Sequence, residues 1–241
     1  MLAGVKLNIV AVNGGLKDNA IPRECDIVFT TDDDFVEAFA KTCADIKTEL
    51  EFSDAGFGAS ITDVEQALMC FDDESTKKLI DFMYLLPNGF MNRSMVIEGL
   101  TTTSLNLGIV KTALNKVTIT DSIRSAIGSG KDNLVNQIKT LADLFGVEVS
   151  LSGSYPGWNY VPVSELRDKL KEVLKKLRDV DLVCEATHGG NECGVFNSYG
   201  VEDIVTYGPI TEFIHTPDER LNLESFYRSY ENLVELIKEC K

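Results

Sequence analysis

The chain has 241 residues, and its 38 acidic against 23 basic side chains leave a formal charge of −15. That balance repels phosphate, and no run of Lys or Arg interrupts it, so broad nucleic-acid and anionic-membrane binding are disfavoured. A hydrophobic fraction of 44% beside 25% charged residues is enough to bury a core, which excludes disorder over most of the chain. The length suits one large or two modest domains. Six cysteines are scattered without CxxC pairs. No basic segment leads into an apolar run, and no stretch approaches the ~20 apolar residues of a membrane span, so the chain reads as cytoplasmic with reduced thiols.

Val5, Leu7 and Ile9 alternate with Lys6, Asn8 and Val10, which predicts a strand, and Asn13-Gly14-Gly15 supplies the turn that ends it. Cys25 to Thr30 is its expected hairpin partner. Asp32 to Asp34 offer N-caps to a helix whose stripe is Phe35, Phe39, Cys43, Ile46 and Leu50. The run Asp72-Asp73-Glu74 caps a further helix through Leu86 and complements its dipole. Leu105, Leu107 and Ile109 then alternate with Ser104, Asn106 and Gly108. Val117 to Ile127 alternates again, Leu134, Ile138, Leu141 and Phe145 mark the next helix, and a strand from Val147 to Leu151 is expected after it. The order predicts a mixed α+β domain with sheet on one side and helices on the other.

Gly153 to Tyr160 is dense in turn formers, and the domain boundary is placed there, dividing the chain into 1–155 and 156–241. Beyond it Leu166, Leu170, Val173, Leu174 and Leu177 predict an amphipathic helix. Asp181 to Ala186 and Ile204 to Tyr207 read as short apolar strands, and Phe226, Tyr230, Leu233 and Ile237 mark a terminal helix. Helices alternating with buried strands indicate a piece of an α/β layer. Two strands are too few for a sheet that usually has ~4 to 6, so either another chain completes it or this is the C-terminal part of a longer polypeptide.

Both histidines lie in the last quarter. His188 follows the Asp181 strand and opens His188-Gly189-Gly190-Asn191-Glu192-Cys193-Gly194, where backbone without Cβ atoms can approach a ligand at a strand's carboxyl end. An ordinary Gly-rich turn explains it as well. His215 is flanked by bulky apolar residues and a Pro-fixed turn, which would hold a metal ligand well; no HxH or HExxH spacing accompanies it, so a plain loop histidine is the stronger reading unaided. Arg124 lies on the polar parity of the Val117 to Ile127 strand, and Asn106 on the polar face of the preceding one. Together they could hold a carboxylate by paired hydrogen bonds, against the commoner outcome of a solvated face. Cys43 and Cys184 read as core residues, and Cys193 lacks a neighbouring base in sequence.

Six motifs run in one order: Asn13-Gly14-Gly15 with Asn19 to Glu24, Thr103 to Gly108, Ile123-Arg124-Ser125, Tyr155-Pro156-Gly157-Trp158, His188 to Gly194, and His215 to Arg220. In that order the chain resembles the C-terminal half of bacterial aminoacyl-histidine dipeptidases, carnosinase-type di-zinc metallopeptidases. The resemblance implies that 1–155 is most of a lid domain that often forms homodimers. It implies that 156–241 is the last segment of an α/β catalytic domain hydrolysing Xaa-His dipeptides. It implies that His215 binds one of two zinc ions, with Thr216 where Ser is usual. Arg124 would then meet the substrate carboxylate, and His188, Gly189 and Gly190 would border the substrate, with Asn191 standing where Leu is usual. The family's His-x-Asp motif and its Glu-Glu pair, which supplies the general base, do not occur in this sequence. No catalytic residue is therefore assigned in this chain, and the chain alone is expected to be inactive. The alternatives are a related di-zinc aminopeptidase or amide hydrolase, and a non-catalytic lid-based dimerisation module.

Overall fold

The computed structural model describes residues 4–64, 69–95, 97–185, 191–214 and 218–240. In chain order it runs β1 (Asn8–Gly14), β2 (Cys25–Thr30), α1 (Val36–Glu49), α2 (Asp73–Leu85), β3 (Gly89–Arg93), β4 (Thr101–Ala113), β5 (Lys116–Ser125), α3 (Gly128–Phe145), α4 (Glu165–Arg178), α5 (Glu192–Ser198), β6 (Thr211–Glu212), β7 (Arg220–Leu221) and α6 (Leu223–Glu239). The fold is the expected mixture of sheet and helix. Its sheet has the order β2-β1-β4-β3, with β5 also on β4. Two compact units share the chain: Met1–Gly89 with Ser104–Ile123 and Asn133–Ser150, and Phe90–Thr103 with Arg124–Asp132 and Leu151–Lys241. No helix among the described residues is long and apolar enough to cross a membrane.

In the first unit β1 and β2 form the expected antiparallel hairpin, with a register shift between Ile9 and Ala11. An extra residue resets the side-chain alternation. The buried pair on β1 is therefore Ile9 and Val12, three apart, rather than the Leu7 and Ile9 of a regular strand. Ile9 and Val12 pack with Val110 of β4, and Leu79, Ile80 and Met83 of α2 close over them. Hydrogen bonds tie α2 and the residues just before it to β1: Phe71 N–H donates to the Ile9 carbonyl at 2.7 Å, Ile9 N–H donates to Thr76 Oγ1 at 3.1 Å, and Asn8 Nδ2 donates to Asp73 Oδ1 at 2.9 Å. Asp72 caps α2 as expected by accepting from Ser75 N–H at 2.7 Å, and that bond holds its carboxyl below the usual range. The α1 stripe is the half-buried set Phe35, Phe39, Cys43, Ile46 and Leu50, and none of it is fully buried.

The turn after β1 lies close against β4. Gly15 has φ +75°, and a Cβ there would stand 1.8 Å from the Gly108 carbonyl oxygen; a Cβ on Gly108 would stand 2.4 Å from the Asp18 carbonyl oxygen. Two facing glycines are what permit this contact.

The expected strand from Val147 to Leu151 does not form. Gly146 takes φ +59° and Val147 N–H reaches back to the Ala142 carbonyl at 2.8 Å, so this segment closes the end of α3 instead of pairing. The strands expected at Asp181 to Ala186 and at Ile204 to Tyr207 are also absent over their described residues, 181–185 and 204–207. A strand needs a neighbour to complete its ladder, and none pairs there. Cys184 is consequently exposed, not in the core. Leu182, Val205 and Tyr207 still pack on the second unit's core of Leu170, Val173, Leu174 and Leu236.

Asp121 was not singled out by sequence patterning, yet it occupies the same parity of β5 as Val117, Ile119 and Ile123. Its Oδ1 is buried without a partner among the described residues, and burial pushes its pKa from 3.8 to about 6. A carboxyl whose folded pKa is raised stabilises the fold when protonated, and that contribution is lost as pH rises through about 6. Asp121→Asn is therefore expected to gain about 1–2 kcal/mol over the parent at pH 7, less than full desolvation would give because solvent reaches the side chain. The gain should vanish near pH 4, as read by urea unfolding at both pH values; a pH-independent difference would exclude this origin. Gly108→Ala should cost about 1–3 kcal/mol by overpacking, while Gly56→Ala, with nothing within 4 Å, should be near neutral in the same assay.

Candidate functional site

Arg124 is half-buried near the end of β5, and among the described residues its guanidinium makes no hydrogen bond or ion pair. The next few residues are tightly fixed. The buried Ser125 Oγ donates to the Ile127 carbonyl at 2.8 Å and lies 2.9 Å from Thr103 Oγ1. A hydroxyl has one proton, so Thr103 is the donor to Ser125. Ala126 N–H donates to the Thr102 carbonyl at 2.9 Å. Gly130, in the first turn of α3, rests on this pair: a Cβ there would stand 3.1 Å from Thr103 Oγ1 and 3.2 Å from Ser125 Oγ. The hydroxyl pair thus sets where the chain leaves β5, directly behind Arg124.

Two more glycines stack further segments on this corner. A Cβ on Gly157 would stand 2.6 Å from the Ala126 carbonyl oxygen, and one on Gly194 would stand 2.6 Å from the Pro156 carbonyl oxygen. Backbone contact of this kind brings the Ser125-Ala126, Tyr155-Pro156-Gly157-Trp158 and Asn191 to Gly194 segments together within the second unit. Lys131 Nζ secures the middle layer by donating to the Tyr155 carbonyl at 2.6 Å and to Ser154 Oγ at 3.2 Å. Asn191 caps α5 by accepting from Gly194 N–H, and the half-buried Cys193 lies with its sulfur 3.1 Å from Thr206 Oγ1.

His188, Gly189, Gly190 and His215 lie outside the described residues. His188 to Gly190 immediately precede the α5 cap, and His215 falls in the connection between β6 and β7. That connection is rooted on α6: Asn222 N–H donates to the Ile210 carbonyl at 3.0 Å, and Ile210 N–H to Ser225 Oγ at 2.9 Å. Asn106 belongs to the first unit and is already engaged. Its Nδ2 donates to the Asp18 carbonyl at 2.7 Å and to the Ala20 carbonyl at 2.9 Å, so both amide protons hold the turn after β1 and only an acceptor oxygen remains. Among the described residues no three His, Cys, Asp or Glu side chains gather as a metal site would require.

Sequence patterning did not assign roles to Ser125, Thr103, Gly157 or Gly194. Their signal was a glycine inside each of two motifs, which marks close backbone approach without saying to what.

The sequence model of Peptidase family M20/M25/M40 matches residues 20–239. Cytosol non-specific dipeptidase of Escherichia coli is 33% identical over 238 residues, 97% of this chain and 49% of that protein. The crystal structure of aminoacylhistidine dipeptidase from Vibrio alginolyticus superposes with a TM-score of 0.84 at 30% identity, over 99% of this chain and 50% of its own. An aminopeptidase from Bacillus cereus shares the fold at 20% identity and a TM-score of 0.54, over 68% of this chain and 44% of its own. The chain spans about half the length of the relatives it matches.

Ser125→Ala should cost about 1–3 kcal/mol, because it removes the acceptor of the buried Thr103 hydroxyl as well as its own bond. Adding Thr103→Val should recover part of that loss, since neither hydroxyl is then left unpaired. Chemical denaturation of the two single variants and the double variant gives the coupling; strict additivity would mean the pair does not hold the corner.

Proposed function

The chain belongs to Peptidase family M20/M25/M40, and from that premise we propose that it is the C-terminal half of a dipeptidase, contributing the lid and part of the active-site rim. The observation that carries this reading is the structural likeness to an aminoacylhistidine dipeptidase over almost the whole chain. The proposed substrates are dipeptides, Xaa-His dipeptides among them. The E. coli relative's description as a non-specific dipeptidase favours acceptance of other dipeptides as well. Residues up to about 155 would form most of the lid, with a homodimer made through it, and those from about 156 the end of the catalytic domain. The cytoplasm is the proposed location, in keeping with the cytosolic relative.

Peptidases of this family are in general metal-dependent, and zinc is the proposed metal. When bound, it would polarise the scissile carbonyl and activate water. The described residues of this chain do not make such a site, so the chain's proposed contribution is a single ligand, His215, with the general base and remaining ligands on the other half of the fold. Arg124 is the proposed clamp for the substrate's terminal carboxylate. Among the described residues its half-buried guanidinium makes no hydrogen bond or ion pair, which leaves it able to make two parallel charge-assisted bonds. His188, Gly189 and Gly190 would border the substrate just ahead of α5. Asn106 is better suited to ordering the Asp18 to Ala20 turn than to meeting a carboxylate, because its donors are spent.

The purified chain alone, given zinc or manganese, should show no dipeptidase activity above background against a panel of dipeptides. Chelator-sensitive turnover that tracks the pure protein would overturn this division of labour. Joined to the other half of the fold, the Arg124→Ala variant should lose about 1.5–3 kcal/mol in kcat/KM on dipeptides with a free carboxylate, and much less on C-terminally amidated analogues. Equal losses on both would make Arg124 a structural residue. His215→Ala in the same assembly should release one of two metals with unchanged circular dichroism; full metal content and near-normal turnover would remove His215 from the ligand set.

A further inference from the structure

The connection that contains His215 leaves and rejoins the fold through a very short ladder. β6 and β7 pair antiparallel over two rungs, Thr211 with Leu221 and Glu212 with Arg220. The bonds of Ile210 to Asn222 and Ser225 continue this neck onto α6. A two-stranded ladder of such length is marginal in water unless side chains reinforce it. The rung that borders the connection is Glu212 with Arg220.

Arg220 reinforces that rung twice. Its Nε lies 3.8 Å from Glu212 Oε2, directly across the ladder, and its guanidinium carbon stands 4.8 Å from the centre of the Phe213 ring. Opposite charges on facing strand positions favour pairing, and a guanidinium over an aromatic face is drawn by the ring quadrupole. Phe213 itself has φ +55°, a conformation that a bulky side chain keeps only where its surroundings hold it. The strained residue is thus the first after β6, and the cation over its ring comes from the opposite side of the neck. Each contact is exposed and weak alone. The ladder they act on is equally small, so together they decide whether the neck holds its shape.

We propose that Arg220 is a positioning residue: by bridging Glu212 and Phe213 across the neck, it fixes the connection on which His215 lies and so presents that imidazole to the metal. The role of His215 rests on the dipeptidase reading, whereas the clamp rests on the geometry of the neck alone. Arg220 acts through its two partners and touches neither substrate nor metal. Sequence patterning includes it only as the last residue of the His215 to Arg220 motif, because Glu212 and Phe213 lie on the other side of His215 and nothing local announces the pairing.

The test reads the His215 imidazole directly. The chain has two histidines, so a ring-labelled sample gives two imidazole signals, assigned with His188→Gln. In the full chain without metal, Arg220→Ala should raise the fast motion of the His215 ring about twofold or more by NMR relaxation and leave the His188 ring unchanged. Arg220→Lys keeps a cation at the rung and should restore most of the parent behaviour. Phe213→Gly removes the ring and accepts the same φ without strain, so it should loosen His215 as Arg220→Ala does; tightening would mean that strain alone governs the neck, and overturns the proposal. Both side chains are solvent-facing, so circular dichroism of the variants should match the parent, and if one variant fails this check the other decides. A His215 ring as ordered in Arg220→Ala as in the parent overturns the proposal, as does equal loosening of both rings. Joined to the other half of the fold, without substrate, Arg220→Ala should bind one zinc about tenfold more weakly by chelator competition. Unchanged zinc affinity in Arg220→Ala, where His215→Ala loses a zinc, overturns the positioning role. A loosened ring with full zinc content in both variants would instead remove His215 from the ligand set, counting against the dipeptidase reading and leaving the clamp standing.

Discussion

Carbonyl oxygens 2.6 Å from where a Cβ of Gly157 or Gly194 would stand leave those two positions to glycine, and the arrangement of the second unit depends on that. Any side chain there would push apart the layers Ser125-Ala126, Pro156-Gly157 and Asn191 to Gly194. Backbone packing at this range gives little hydrophobic gain but fixes geometry well, because carbonyls and Cα atoms have no rotamers to exchange. The Ser125 and Thr103 hydroxyls then carry the same rigidity into β4 and the start of α3. Arg124 stands on this corner, and among the described residues its guanidinium makes no hydrogen bond or ion pair.

Polar side chains do much of the remaining joining. Asp203 accepts from the Ser164 hydroxyl and from Leu166 N–H at 2.8 Å, which anchors the start of α4, and these bonds hold its carboxyl below the usual range. Along the α4 and α6 contact, Lys176 meets Glu235 and Glu239, and Arg178 meets Glu231. These pairs are largely exposed, so each is worth roughly 0–1 kcal/mol and is weakened by salt. Their value lies in the net charge of −15: a strongly acidic chain repels itself, and placing its cations between helices relieves that repulsion where the elements meet.

Local chemistry made much of the fold legible in the sequence. The hairpin partner Cys25 to Thr30, the cap at Asp72, the stripe of α1 and most of that of α4 stand where local spacing puts them, because each is decided by residues within a turn or two, whereas the cap expected for α1 at Asp32 to Asp34 gives way to Phe35, which makes no side-chain cap bond. What sequence missed is what depends on distant neighbours. A bulge between Ile9 and Ala11 shifted the buried set of β1, and nothing in Asn8 to Val12 announces it. The strands expected near 182 and 205 have the right composition but no pairing partner among the described residues. At the candidate site Arg124 was legible through its parity on β5, whereas the Ser125 and Thr103 pair, 22 residues apart, was not. Asn106 was legible as polar, but its two carbonyl partners near residue 20 could not be read from β4 alone.

The face of α6 shows how a correct stripe can end up on the wrong side. Periodicity finds the apolar ridge and assumes that ridge and core coincide. That holds only where the apolar face is also the one that neighbouring elements cover. In this chain Ser225, Ser229 and Asn232 are buried because α4 is there to cover them, while Phe226, Tyr230 and Ile237 stay in solvent. The disagreement between pattern and burial is thus itself an observation about the fold. Four large apolar side chains stand in register over three turns on the exposed side of the helix. The same argument covers the segments at 182 and 205, whose apolar residues have a core above them and no strand beside them.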